Sequence, residues 1–166
     1  MLYSCSHKDE KTTAKPQDEY VKRLPDQISW DVVVKFVDSS FTKAILRAHR
    51  ARIYRDKNET ILDSGVECEF LSKSSQKRVS LLTADSVVID DVTKNMLAGG
   101  HVYIYSDSSR TKVNTSFIQW NQSTMKLYST EYVSIHRPNE SLQGYGFESD
   151  QYLTNYTIFR PRGEQR

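Results

Sequence analysis

The feature that most constrains this chain is a series of short segments rich in Val, Ile, Tyr, Phe and Thr, in which apolar and polar residues alternate. The segments "DVVVKFV" (31–37), "SVVID" (86–90), "HVYIY" (101–105), "TSFIQW" (115–120) and "YVSIH" (132–136) are separated by polar turns such as "DVTKN", "SDSSRTK" and "NQSTM". A period of two marks strands that bury one face, and no segment sustains helical spacing beyond about two turns. The best helical competitor, "SSFTKAILRAHRARIY" (39–54), has no terminating glycine and reads as an antiparallel strand. The chain is therefore expected to be all-β.

The segments also repeat. A shift of 31 residues places "DSVVID" (85–90) on "SFIQWN" (116–121) and "GHVYI" (100–104) on "EYVSI" (131–135) without a gap. Val87 then falls on Ile118, Ile89 on Trp120, Met96 on Leu127, Val102 on Val133 and Ile104 on Ile135. A weaker upstream copy, at a shift of 35, sets "ARIYRD" (51–56) on "SVVIDD" (86–91) and Gly65 on Gly100. Each unit reads as strand, turn, strand, turn, and such a unit buries its apolar face only by stacking on its neighbours.

The 166 residues, 37% of them hydrophobic, suit one domain with a continuous core. Residues 1–29 are polar, hold Pro16 and Pro25, and read as a flexible linker; residues 30–160 form the β domain, and 161–166 a short tail. With 23 basic and 21 acidic side chains the chain lacks the strongly basic face that nucleic-acid binding demands. No run approaches the roughly 18 apolar residues of a membrane-spanning helix. The cysteines, Cys5 and Cys68, lie in the expected linker and in a strand, and a bond between them is not favoured.

Four segments in order, "AILRAHRARIYRDKNETILDSGVECEF", "LLTADSVVIDDVTKNMLAGGHVYIYS", "VNTSFIQWNQSTMKLYSTEYVSIHR" and "LQGYGFESDQYLTNYTI", resemble the LptC family, the periplasmic component of lipopolysaccharide export. The resemblance spans about residues 40–158. It is most specific in Gly144-x-Gly146-Phe147-Glu148-Ser149-Asp150 followed by Leu153, Tyr156 and Ile158, and the strand pair around Asp90-Asp91, Asn95 and Gly99-Gly100-His101-Val102 is also similar to the OstA-like repeat. The resemblance implies an open, twisted antiparallel β-jellyroll with two facing sheets and an apolar trough for acyl chains. In such a trough Val87, Ile89, Val102, Ile104, Ile118, Trp120, Val133 and Ile135 would be the lining; in an ordinary sandwich the same eight residues are core. Gly144 and Gly146 would let the last strands bend or let another backbone approach, and an edge strand carrying Tyr156 and Ile158 would add to a strand of a partner.

Many LptC proteins begin with a transmembrane helix, which this chain lacks. Leu2-Tyr3-Ser4-Cys5 resembles instead the end of a lipoprotein signal, with Cys5 the acylated residue, although the apolar core of such a signal is missing. A trimmed chain or a start placed too late would account for that, and the plain alternative is an unmodified Cys5. Two acyl chains suffice for stable anchoring. The resemblance thus implies a protein of the periplasm, tethered to the inner membrane, that takes lipopolysaccharide from the subunits of an inner-membrane ABC transporter and passes it to a bridge protein of the LptA kind.

Catalysis and cofactors are not expected. His7, His49, His101 and His136 are scattered, and Cys68 has no cysteine near it, so no metal site is expected. Asp90 and Asp91 suit turn chemistry, Glu148 and Asp150 follow glycines without an apolar pocket, and no nucleophile motif is present. The basic run Arg47, His49, Arg50, Arg52, Arg55 reads as a solvated strand face, with contact to glycolipid phosphates as the functional alternative. Five Asn-x-Ser/Thr triplets, at Asn58, Asn114, Asn121, Asn139 and Asn155, read as turns in a bacterial protein. The competing readings are a lipoprotein with a closed β-sandwich acting as adhesin or scaffold, and a carbohydrate-active enzyme with two facing carboxylates.

Overall fold

A computed structural model describes residues 24–162 of the chain. Nine strands make one antiparallel sheet in which every strand pairs with its neighbours in sequence. They are β1 (Gln27–Asp38), β2 (Phe41–Tyr54), β3 (Glu59–Leu71), β4 (Arg78–Asp90), β5 (Met96–Ser106), β6 (Lys112–Asn121), β7 (Lys126–Arg137), β8 (Glu140–Asp150) and β9 (Tyr156–Arg162). The sheet is open, with β1 and β9 as its two edges. One turn of 3-10 helix, Arg55–Lys57, is the sole helical element among the described residues. Of the stretch 39–54, Phe41–Tyr54 is the strand β2, as expected from sequence, and Ser39 and Ser40 form the turn before it. The first strand begins at Gln27, three residues before the boundary read from sequence, because the Asp26 N–H donates to Ile53 O and Gln27 pairs with Ile53.

These strands are long, up to 14 residues. The register jumps between Ala48 and Arg50, Asp63 and Val66, Thr83 and Ser86, Gly99 and Val102, Thr115 and Gln119, and Ser129 and Tyr132. In β1 the register holds across Asp31 and shifts between Phe36 and Val37, and in β3 it shifts again between Phe70 and Leu71. Bulged residues increase twist and bend a strand. Lined up from β2 to β7, they make a crease across the single sheet, and the halves of the sheet on its two sides are here called panels. Positive φ angles mark it at Asp31 (51°), Ser64 (64°), Gly65 (86°), Gly100 (95°) and Gly146 (78°).

The crease also shifts the side-chain alternation. Buried residues run Ala44, Leu46, Ala48 and resume at Ala51 in β2; they run Leu82, Ala84 and resume at Val87 in β4, a step of three. In β3, β5 and β7 the step is four: Leu62 to Val66, Ala98 to Val102, Ser129 to Val133. Both steps return the apolar set to the same side after the bend. In β2 and β4, where the step is odd, unbroken alternation would turn Ala51 and Val87 to the side opposite Ala48 and Ala84, and the bend restores them to the core.

One core results. Trp120 of β6 packs its ring 5.5 Å from Phe36 of β1 and 5.5 Å from Phe70 of β3, both on the opposite side of the crease. The apolar face of the sheet therefore closes on itself. Cys68 lies within this core as a free thiol, and burial pushes its pKa up.

Candidate ligand-binding interior

All eight stripe residues face this interior. Val102, Ile104, Val133 and Ile135 lie on one panel and Val87, Ile89, Ile118 and Trp120 on the other, and none is more than 3% exposed. Where the panels meet, the space left between Leu46, Cys68, Val87, Met96, Ile118 and Trp120 is about 10 Å³. That is about the room for one water molecule. In this state the stripe is core, and its own side chains occupy the volume in which acyl chains were expected.

Room appears instead at the β1 end. A groove of about 510 Å³ lies between β1 and the ends of β2, β3 and β4, with Val32, Val34, Phe36, Ala51, Ile53 and Ile89 as its apolar wall and Lys35, Asp91, Lys94 and Gln122 at its rim. Ile89 is the one stripe residue that lines it, and Phe36, against Trp120, joins the groove to the core. Val32, Val34 and Phe36 were missed as site residues. The signal was the run of valines on both parities in "DVVVKFV", since a strand with two apolar faces is covered on both sides or edges a cavity. The outer face of β1 is apolar too, with Ile28, Trp30, Val33 and Val37 each at least half exposed.

The closing motif is resolved residue by residue. Gly144 and Gly146 lie under β9: a Cβ on Gly144 would sit 2.4 Å from Arg160 O, and one on Gly146 2.8 Å from the Phe159 ring. The backbone that approaches these glycines is thus the chain's own last strand. Tyr156 and Ile158 are half-buried on β9 against the core, and Phe147 is fully buried. Glu148 accepts from Lys126 Nζ at 2.5 Å. Asp150 accepts from the Tyr152 and Thr154 backbone N–H groups and from Thr154 Oγ1, Asn155 N and Asn155 Nδ2, at 2.9 to 3.3 Å. Both carboxylates are engaged in structure, and Asp150 ties the β8–β9 connection into a knot. Leu153, at φ 54°, is driven into the core with no exposed surface.

That connection reaches across to the other panel. Ser80 Oγ donates to Gln151 O at 2.5 Å, Ser106 Oγ to Tyr152 O at 2.7 Å, and Gln151 Nε2 to Leu71 O at 3.0 Å. Ser80, Ser106 and Gln151 are buried polar residues that alternation alone reads as lapses in the apolar pattern. Lys43 is a second tie: it is 5% exposed, donates to Gln122 O at 3.1 Å and pairs with Asp38 at 3.1 Å, which holds the Asp38 carboxyl below its ordinary pKa.

Within the basic run, Arg47, His49, Arg50 and Arg52 are paired. Arg47 bonds Glu69 at 2.8 Å, while Arg50 Nε and Arg52 Nη2 each donate to Asp63 at 2.6 Å. The Arg50 hydrogen bond lowers the pKa of Asp63, against the opposing effect of burial. These arginines form a strand face with its own counter-ions. Asp90 caps its turn by accepting from the Val92 and Thr93 N–H groups, both 2.8 Å, which lowers its pKa. His49 and His101 sit on exposed pairs with Asp31 (2.7 Å) and Asp85 (2.8 Å), and no group of three metal-ligating side chains occurs among the described residues. Cys5 and the linker up to residue 23 lie outside the described residues. No protein-family model and no curated protein matches the chain.

Proposed function

We propose that this chain carries lipopolysaccharide across the periplasm, reading the two panels as the facing sheets of an OstA-like jellyroll. The observation that carries this reading is the apolar groove of about 510 Å³ beside β1, continuous through Phe36 and Ile89 with an interior lined on both panels by aliphatic side chains. An acyl chain of the lipid inserts along Val32, Val34 and Ile53, while Lys35 and Lys94 at the rim attract its anionic headgroup. Burial of each CH₂ contributes about 0.8 kcal/mol, so a groove of this size supports binding without any catalytic group. Cys5 would hold the chain at the inner membrane, beside an ABC transporter that supplies the lipid and the energy, and an edge strand would pair with a bridge protein that receives it.

A second reading rests on an equally specific observation. The eight stripe residues are buried and the space between the panels is small, as in a closed scaffold or adhesin. A photoreactive benzoylphenylalanine at Val34, compared with one at the outward Tyr103, separates the two in the full chain. Irradiation with lipopolysaccharide is expected to give an adduct at Val34 and none at Tyr103. Equal labelling at both, or none at Val34, would reject transport and leave the scaffold.

A further inference from the structure

We infer that residues 151–153, between β8 and β9, are a latch that holds the free ends of the two panels together and controls access to the interior. This rests on the lipid-binding reading above. The crease joins the panels along one side. On the opposite side strands simply end, and there the panels are tied by hydrogen bonds between residues 46 to 80 positions apart: Ser80 to Gln151 O, Ser106 to Tyr152 O, Gln151 to Leu71 O, and Lys43 to Gln122 O. Leu153, fully buried, anchors the same segment in the core cluster.

Three features mark this as a device for opening. Ser80 and Ser106 occupy inward positions of β4 and β5 that continue the series Leu82, Ala84 and Ile104, Val102, where an apolar residue would serve the core better; the Ser80 hydroxyl serves the connection alone, and that of Ser106 serves both the connection and its own turn, where it accepts from the Ser109 N–H at 3.2 Å. Gln151 is 2% exposed, yet its Oε1 has no hydrogen-bond partner among the described residues, so the latch holds with one buried acceptor unsatisfied. Such a group regains its hydrogen bond on reaching water, which favours release. Finally, the Asp150 knot keeps 152–155 in shape through bonds internal to the connection, so the segment can leave as a unit.

The test uses the full chain and two variants, Ser80→Ala/Ser106→Ala and Gln151→Ala, each first checked for a cooperative thermal transition. Amide hydrogen exchange reports opening at 151–155, and the fluorescent fatty acid cis-parinaric acid reports access. The expected result is exchange faster by about tenfold or more in both variants, with the rate of uptake rising in parallel. Unchanged exchange in both variants overturns the latch, because other contacts then hold the segment. Faster exchange with an unchanged uptake rate also overturns it and leaves lipid binding standing. No uptake by parent or variants, with exchange faster, rejects the lipid-binding interior itself and the latch with it.

Discussion

Replacing Gly144 by alanine tests how β9 is held. A Cβ there would lie 2.4 Å from Arg160 O, 2.6 Å from Ile158 Cγ2 and 2.8 Å from Pro161 Cα, so two of the three obstacles are the backbone of β9. Backbone does not step aside as a flexible side chain does, and overpacking of this kind costs about 1–3 kcal/mol. The conformation at Gly144 adds no cost, because its φ is not positive. Since β9 pairs with β8 alone, the strain is relieved by lifting the strand rather than by unfolding the sheet. Gly144→Ala is therefore expected to speed amide exchange along Tyr156–Arg162 by about tenfold to a hundredfold, and to lower Tm by about 3–9 °C in a chain of this size. Gly65→Ala is the control: φ is +86°, but a Cβ would have no atom within 4 Å. It should cost about 1–2 kcal/mol of backbone strain and leave β9 exchange unchanged. Parental Tm and parental β9 protection in Gly144→Ala would refute the argument, as would equal loosening of β9 by Gly65→Ala.

Trp120→Ala removes the ring that joins Phe36 and Phe70 across the crease, and is expected to cost about 3–5 kcal/mol in urea unfolding; a loss under about 1 kcal/mol would mean the panels meet loosely. Asp63 has a pKa lowered by its arginines, so its contribution to stability is complete above the ordinary carboxylate pKa and is lost as pH falls through the lower folded value. Below about pH 4, Tm of the parent should therefore fall more steeply than that of Asp63→Asn, and parallel curves would show that the Arg50 and Arg52 bonds contribute nothing net.

Strand content and the main repeat were legible because both depend on alternation, which the core enforces. The shift of 31 is exact in the structure: Leu82 to Val113, Val87 to Ile118, Ile89 to Trp120, Met96 to Leu127, Val102 to Val133 and Ile104 to Ile135 are equivalent buried positions. The upstream shift of 35 is one residue short. Leu46 to Leu82, Ala48 to Ala84, Ala51 to Val87, Leu62 to Ala98 and Val66 to Val102 are all related by 36. Matching Gly65 to Gly100 misled, because the crease asks for a positive φ within a loose window, and Ser64 at 64° meets the same need as Gly65 at 86°. Side-chain burial fixes register to one residue, whereas a bulge tolerates its special residue at neighbouring places.

The edges of the sheet were less legible for a related reason. Sequence singled out Tyr156 and Ile158 as an edge strand open to addition, and β9 is an edge. Its composition nevertheless resists pairing: Pro161 has no N–H to donate, Arg160 and Arg162 carry charge, and the strand has seven residues. The opposite edge also carries charge, at Asp31, Lys35 and Asp38, but it has no proline and is longer. With 12 residues, apolar side chains on both faces and a groove beneath it, β1 offers an incoming strand both a hydrogen-bonding edge and surface to bury. Edge chemistry of this kind depends on which strand lies outermost, and that follows from the order of pairing in the whole sheet. No local pattern in "DVVVKFV" distinguishes an outermost strand from a central strand buried on both sides, so the apolar outer edge stayed hidden until the topology was in place.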